Sequence, residues 1–145
     1  SSDVCSSDLV DAERIAVWGW SGGGSATLNL MFQYPELYKT GIAVAAVANQ
    51  LTYDNIYQER YMGLPKDNAD GYRLGSPIAH AAALKGNLLI VHGTGDDNVH
   101  YQGTEKLINE LVNNLPEALH ECPQEGCKRK FKTKDEMEKH FERRH

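Results

Sequence analysis

Three spacings in this chain bring together residue types that can do chemistry. Gly19-x-Ser21-x-Gly23 stands between an apolar run and a helix-forming segment, the pattern of a sharp strand-to-helix turn that exposes a serine hydroxyl. Glycines there permit the strained turn and the close approach of the following helix, and the N–H of Gly22 is placed to donate to an oxyanion. A serine so held performs acyl transfer when an acid and a base join it. Asp96 supplies an acid, since it follows the apolar run Leu88-Leu89-Ile90-Val91 and the pair His92-Gly93. The third spacing is Cys122-x₄-Cys127-x₁₂-His140-x₄-His145. Two thiolates and two imidazoles at those intervals surround Zn²⁺ tetrahedrally, and four protein ligands leave no open position, so the metal is structural. Phe131 and Met137 fall where a small unit of this kind packs an aromatic and a large aliphatic side chain.

The elements that must position these groups read as α/β. Arg14–Trp20 is an apolar run of strand type, and 25–34 has helical composition up to Pro35. Gly41–Val47 and Asn87–His92 are further apolar runs without polar alternation, which predicts parallel strands covered on both faces. Helices are predicted over Thr52–Met62 and Pro77–Leu84, with a loop rich in Gly, Pro and Asp between them. A further helix over Gln102–Leu115 places Leu107, Ile108, Leu111 and Leu115 on one face. The order is strand, helix, strand, helix, strand, helix.

Charge divides the chain. Residues 1–117 carry seven Lys/Arg against fourteen Asp/Glu, whereas 118–145 carry eight against six, which predicts a boundary near Pro116. Three cysteines, Cys5, Cys122 and Cys127, form no disulfide framework. No run of about 18 apolar residues and no basic-then-apolar start predicts a membrane span or a signal peptide. The first nine residues resemble a translated sequencing adapter; a polar, disordered N-terminus is the other reading. The expected organisation is therefore a lead of residues 1–9, an α/β unit over 10–115, a junction at 116–117 and a zinc unit over 118–145.

Within 10–115, three segments resemble the dipeptidyl peptidase IV branch of the prolyl oligopeptidase family. They are Gly19-Trp20-Ser21-Gly22-Gly23, the run Tyr57-Gln58-Glu59-Arg60-Tyr61-Met62-Gly63-Leu64-Pro65, and His92 through His100. The resemblance implies an incomplete α/β-hydrolase-type parallel sheet, with Ser21 as nucleophile, Gly22 as oxyanion donor and Asp96 as triad acid. It further implies that Val47, Tyr53, Tyr57 and Val99 line the pocket for the residue before the scissile bond, that Asn98 holds the substrate backbone, and that proline or alanine fills the pocket of a peptide substrate. No cofactor is implied for this part. Two positions depart from the family: Gln50 stands where an aromatic is frequent, and Gly22 where some members carry tyrosine. Without the resemblance, Tyr53 and Tyr57, four apart on a helix, read as core packing, Asp97 as a turn carboxylate, and His92 and His100 as structural.

The base is the missing piece. The family's histidine follows the acid by some thirty residues in a His-Gly turn, and no His-Gly occurs there; His120 lies two residues before a zinc ligand. A triad without its base loses several orders of magnitude in rate, so the chain is expected to be a poor peptidase. The upstream strands, the second oxyanion donor and the propeller domain are expected to be absent as well. The segment 118–145 resembles a two-cysteine two-histidine zinc finger, a ββα unit that folds on binding Zn²⁺, worth roughly 10–16 kcal/mol in comparable peptides. Its basic clusters, Lys128-Arg129-Lys130 and Arg143-Arg144, suit nucleic acid, with Thr133, Glu136 and Lys139 at reading positions by resemblance; a protein partner is equally open. Three readings follow: a truncated serine peptidase, a zinc-finger binding module, and an assembly chimera with no function as one protein. Localisation is left open, the peptidase family being often secreted, periplasmic or membrane-attached and such fingers typically nuclear.

Overall fold

The computed structural model describes residues 11–114 together with the short segments 120–121 and 130–131. The chain divides into two compact units, Ser1–Asn114 and Leu115–His145. In the first, β1 (Ala16–Trp20), α1 (Gly22–Gln33), β2 (Thr40–Val44), α2 (Asn55–Met62), α3 (Ala69–Gly75), β3 (Asn87–Val91) and α4 (Tyr101–Asn114) follow one another, with 3-10 turns at Ala12–Arg14, Gln50–Thr52 and Pro77–Ala83. The sheet order is β1-β2-β3, all parallel. In the second unit, β4 (His120–Glu121) and β5 (Lys130–Phe131) pair antiparallel.

The strands end level. Trp20, Val44 and Val91 occupy one register row, so the residues that follow them, Ser21, Ala45 and His92, begin three turns on one rim. β2 stops at Val44, three residues short of the apolar run, because Ala45 turns to φ 45° and gives its N–H to Val91 O at 2.8 Å. α1 starts at Gly22 rather than Ser25. Its three leading glycines have low helix propensity, and the first turn is held from outside by packing and by Ser25 N–H to Ser21 O, 3.0 Å. Asp54 caps α2 through the N–H groups of Ile56 and Tyr57.

α3 occupies part of the segment predicted as a loop. Its Gly and Asp content hides it, but Asn68 caps Gly71 N–H and also donates to Met62 O at 2.8 Å. Buried Tyr72 then gives its hydroxyl to Gly63 O, 2.8 Å. Tertiary anchors outweigh weak local preference here.

The core lies on one side of the sheet. Leu28, Met31 and Phe32 of α1 join Ala43, Ala46, Ala48, Ala81 and Leu107, with Val17, Leu88, Ile90 and Leu111 packed against them. The opposite side corrects the sequence expectation of cover on both faces: Trp18 is 71% exposed, Trp20 67%, Leu89 55% and Val91 45%. The apolar runs lack alternation, yet the described residues supply helices to one face only. Among the described residues no helix is long and apolar enough to cross a membrane.

Candidate active site

Ser21 sits where β1 ends and α1 begins, at φ 54° and ψ −120°, a left-handed conformation that costs a non-glycine residue free energy unless its surroundings enforce it. They do so here. Its N–H donates to Val44 O at 2.9 Å, and a Cβ on Gly19 would lie 2.3 Å from the backbone of Gly23, so only glycine at 19 lets the helix return this closely. A Cβ on Gly23 would meet nothing within 4 Å, so the second motif glycine is not a packing requirement. The Ser21 hydroxyl accepts no capping bond from α1, leaving Oγ uncommitted at the helix start. Gly22 is the first residue of α1, where backbone N–H groups lack intrahelical acceptors and the helix dipole favours a developing negative charge.

A second clasp was not legible in the motif. Ser25 is buried; its Oγ accepts from Val47 N–H and donates to Val47 O, both at 2.9 Å. The helix that follows Ser21 is thereby tied to the segment after β2. Val47 lines a cavity of about 370 Å³ together with Ser21, Gly22, Tyr53 and Tyr57. Ser25, Gln50, Gln58, Tyr61, Met62 and Gly75 complete that wall; of these, only Gln50 was singled out in the sequence, as a departure from an aromatic. Tyr53 and Tyr57 stack edge to face at 5.6 Å, and Tyr57 and Tyr61 lie 5.1 Å apart. The tyrosine ladder packs on itself and lines the cavity, with Tyr57 and Tyr61 exposed, so burial in the core is not its role. Gln50 donates to Gly75 O at 3.2 Å and accepts from Gln58, which makes one side of the cavity a carboxamide wall where the resemblance leads one to look for an aromatic.

Asp96 follows β3. Its Oδ1 accepts from Val99 N–H at 2.9 Å and Asn98 N–H at 3.1 Å, and Oδ2 stands 3.4 Å from His92 Nε2. Those two backbone donors, helped by His92, hold its carboxyl below the ordinary 3.8. Asp96 is therefore an ionised acceptor. Val99 is buried and lies outside the 370 Å³ cavity; it shapes the Asp96 loop instead. Asn98 is exposed, and Tyr53 donates its hydroxyl to Asn98 Oδ1 at 3.4 Å, so Tyr53 joins the cavity to the acid loop. The His92 side chain is buried, with Nδ1 at 2.6 Å from Thr104 Oγ1 and Nε2 at 2.7 Å from Val99 O.

The structure thus brings Ser21, Gly22, Val47, Tyr53 and Tyr57 to one cavity, and places Asp96 and Asn98 on a loop of the same rim. Cys122, Cys127, His140 and His145 lie outside the described residues, and among the described residues no group of three or more His, Cys, Asp or Glu could hold a metal ion.

Residues 3–133 match the prolyl oligopeptidase family. The chain belongs to that family. The match exceeds the 10–115 span of the sequence resemblance at both ends and runs through Cys122 and Cys127; His120 is the only histidine between Asn98 and Thr133 apart from His100. Probable dipeptidyl-aminopeptidase B of Fusarium vanettenii is 46% identical over 114 residues, 77% of this chain and 12% of that protein. Dipeptidyl peptidase 4 of Bos taurus is 45% identical over 107 residues, 72% of this chain and 14% of its own. The crystal structure of Porphyromonas gingivalis dipeptidyl peptidase 4 superposes with a TM-score of 0.71 at 50% identity, over 74% of this chain and 15% of that one. The chain therefore spans between 12% and 15% of the length of these prolyl oligopeptidase relatives. Family membership sets the Ser21 turn in a serine peptidase framework.

Proposed function

We propose that residues 11–114 are the nucleophile-and-acid segment of a dipeptidyl peptidase, acting on peptides with proline or alanine before the scissile bond. Ser21 is the nucleophile, Gly22 N–H the oxyanion donor, and Asp96 the acid that orients a histidine base. Val47, Tyr53 and Tyr57 surround the residue before the cleaved bond, and Asn98 holds the substrate backbone. The observation that carries this reading is the strained Ser21 turn opening onto the tyrosine-lined cavity. Because no His-Gly follows Asp96 in the sequence, Ser21 lacks its activating base in this chain and remains a weak nucleophile.

The experiment is release of dye from a Gly-Pro conjugate with and without added free imidazole. Slow release that imidazole accelerates in the wild type but not in Ser21→Ala supports the reading. Equal release by Ser21→Ala would sink the nucleophile, and rapid release without imidazole would sink the missing base.

A second reading applies to residues 118–145. The antiparallel pairing of His120 with Phe131 and of Glu121 with Lys130 brackets Cys122 and Cys127 in sequence, as the hairpin of a zinc finger does. Two thiols and two imidazoles are a zinc donor set, so Cys122, Cys127, His140 and His145 would hold a structural Zn²⁺, and the flanking basic residues would meet nucleic acid or protein. Titrating the whole chain with Co²⁺ tests it. Tetrahedral thiolate absorption that disappears in Cys122→Ser supports the site, and a colourless titration refutes it.

A further inference from the structure

Asp96 needs more than its own turn to present an oxygen to a base. Its Oδ1 is occupied by two backbone donors, and Oδ2 stands 3.4 Å from His92 Nε2. The loop that sets this direction runs from Gly93 to His100, and only its ends are anchored by the sheet and by α4. His92 fills the gap. Its side chain is 1% exposed and touches the start of the loop's return through Val99 O at 2.7 Å, and α4 through Thr104 Oγ1 at 2.6 Å.

The chemistry fixes the ring. Val99 O can only accept, so Nε2 carries a proton and donates it there, while Nδ1 pairs with the Thr104 hydroxyl, which can give or take a hydrogen bond. Thr104 is itself buried at 2% exposure. Val99 consequently works in both directions, receiving His92 at its carbonyl and giving its N–H to Asp96 Oδ1.

We propose that His92 is a positioning residue for the acid: a buried imidazole pinned between α4 and Val99, which fixes the Asp96 carboxylate through Val99 at Oδ1 and by its own approach to Oδ2. It rests on the reading of Asp96 as the triad acid, although its test does not need catalysis. The titratable groups facing the ring are Asp96 from its own loop and Tyr101 from α4, whose ring stands edge-on at 5.8 Å.

The experiment follows the Asp96 carboxyl carbon by NMR through an acid titration of the full chain, with amide exchange at Asn98 and Val99 as a second readout. In His92→Phe, which keeps a ring and removes both hydrogen bonds, the Asp96 midpoint should move up toward 3.8. Exchange of the two amides should quicken by roughly tenfold, while the amides of β1 and β2 stay as in the wild type. His92→Gln, able to donate to Val99 O, should return part of both effects, a rescue that simple filling of space would not give. An Asp96 midpoint and exchange rates unchanged in His92→Phe overturn the proposal. If that variant does not fold, Thr104→Val decides by the same criterion, since it removes the other anchor of the ring at nearly constant volume. Failure here with imidazole-assisted dye release intact leaves the peptidase reading standing, and the reverse pattern removes the peptidase reading alone.

Discussion

The two faces of the three-stranded sheet are built from similar residues and have opposite fates. On one, Leu28, Met31 and Phe32 of α1 and Leu107 of α4 close over Ala43 and the half-buried Val17, Leu88 and Ile90. On the other, Trp18, Trp20, Ile42, Leu89 and Val91 stand exposed. Side chains alternate across a strand, so each strand contributes to both faces at once. The Ser21 turn is attached entirely to the closed face: Gly19 is buried there, α1 leaves from it, and Ser25 clasps Val47 above it. Site geometry in this segment therefore depends on half of the sheet's surface.

Substitutions can break that contrast. The largest effect is expected for Gly19→Ala, whose Cβ would lie 2.3 Å from the Gly23 backbone; loss of more than about 4 kcal/mol, or no folded product, should appear in a urea melt. Phe32→Ala on the closed face should cost about 3–5 kcal/mol in the same melt through the cavity it leaves. Ser25→Ala leaves buried backbone groups of Val47 without their partner, an expected loss of about 1–3 kcal/mol, and it should slow fluorophosphonate labelling of Ser21 as the cavity wall loosens.

Acid sharpens the picture at the rim. Asp96 is depressed in the folded state, so the stability it gives is fully present above its unfolded value near 3.8 and is lost as pH falls through the lower folded value. Asp96→Asn should flatten stability against pH in that window, read from melts at successive pH values. The smallest effect is expected on the open face. Trp18→Ser should change unfolding free energy by no more than about 0.5 kcal/mol, while reducing self-association in sedimentation, because large exposed apolar patches promote it. A Trp18→Ser loss as great as that of Phe32→Ala would erase the distinction between the faces.

The comparison also shows what a sequence can and cannot carry. The rim positions of Ser21 and Asp96 were legible because Ser21 follows an apolar run directly and Asp96 lies in the turn after another, and parallel strands put such positions on one rim. The extent of cover was not, since an apolar run states what a strand prefers to bury and not whether anything arrives to bury it. α3 was hidden for a related reason: its residues favour loops locally, and Asn68 and Tyr72 override that preference through partners at Met62 and Gly63. The tyrosine ladder misled in the other direction. Four-residue spacing between Tyr53 and Tyr57 suits packing along a helix, but Tyr53 precedes the helix cap Asp54 and both rings face the cavity.

The level register of the strand ends sets which lengths of this chain are free to drift. One residue removed within Ala16–Trp20 would draw Ser21 back by about 3.3 Å and turn its neighbours to the other side of the sheet, and the same holds for Thr40–Val44 and Asn87–Val91. The connection from Gly63 to Asn68 meets no such rule, because it crosses no row of the ladder. Insertions that survive should therefore collect between α2 and α3, leaving the strands with a fixed count of five residues each.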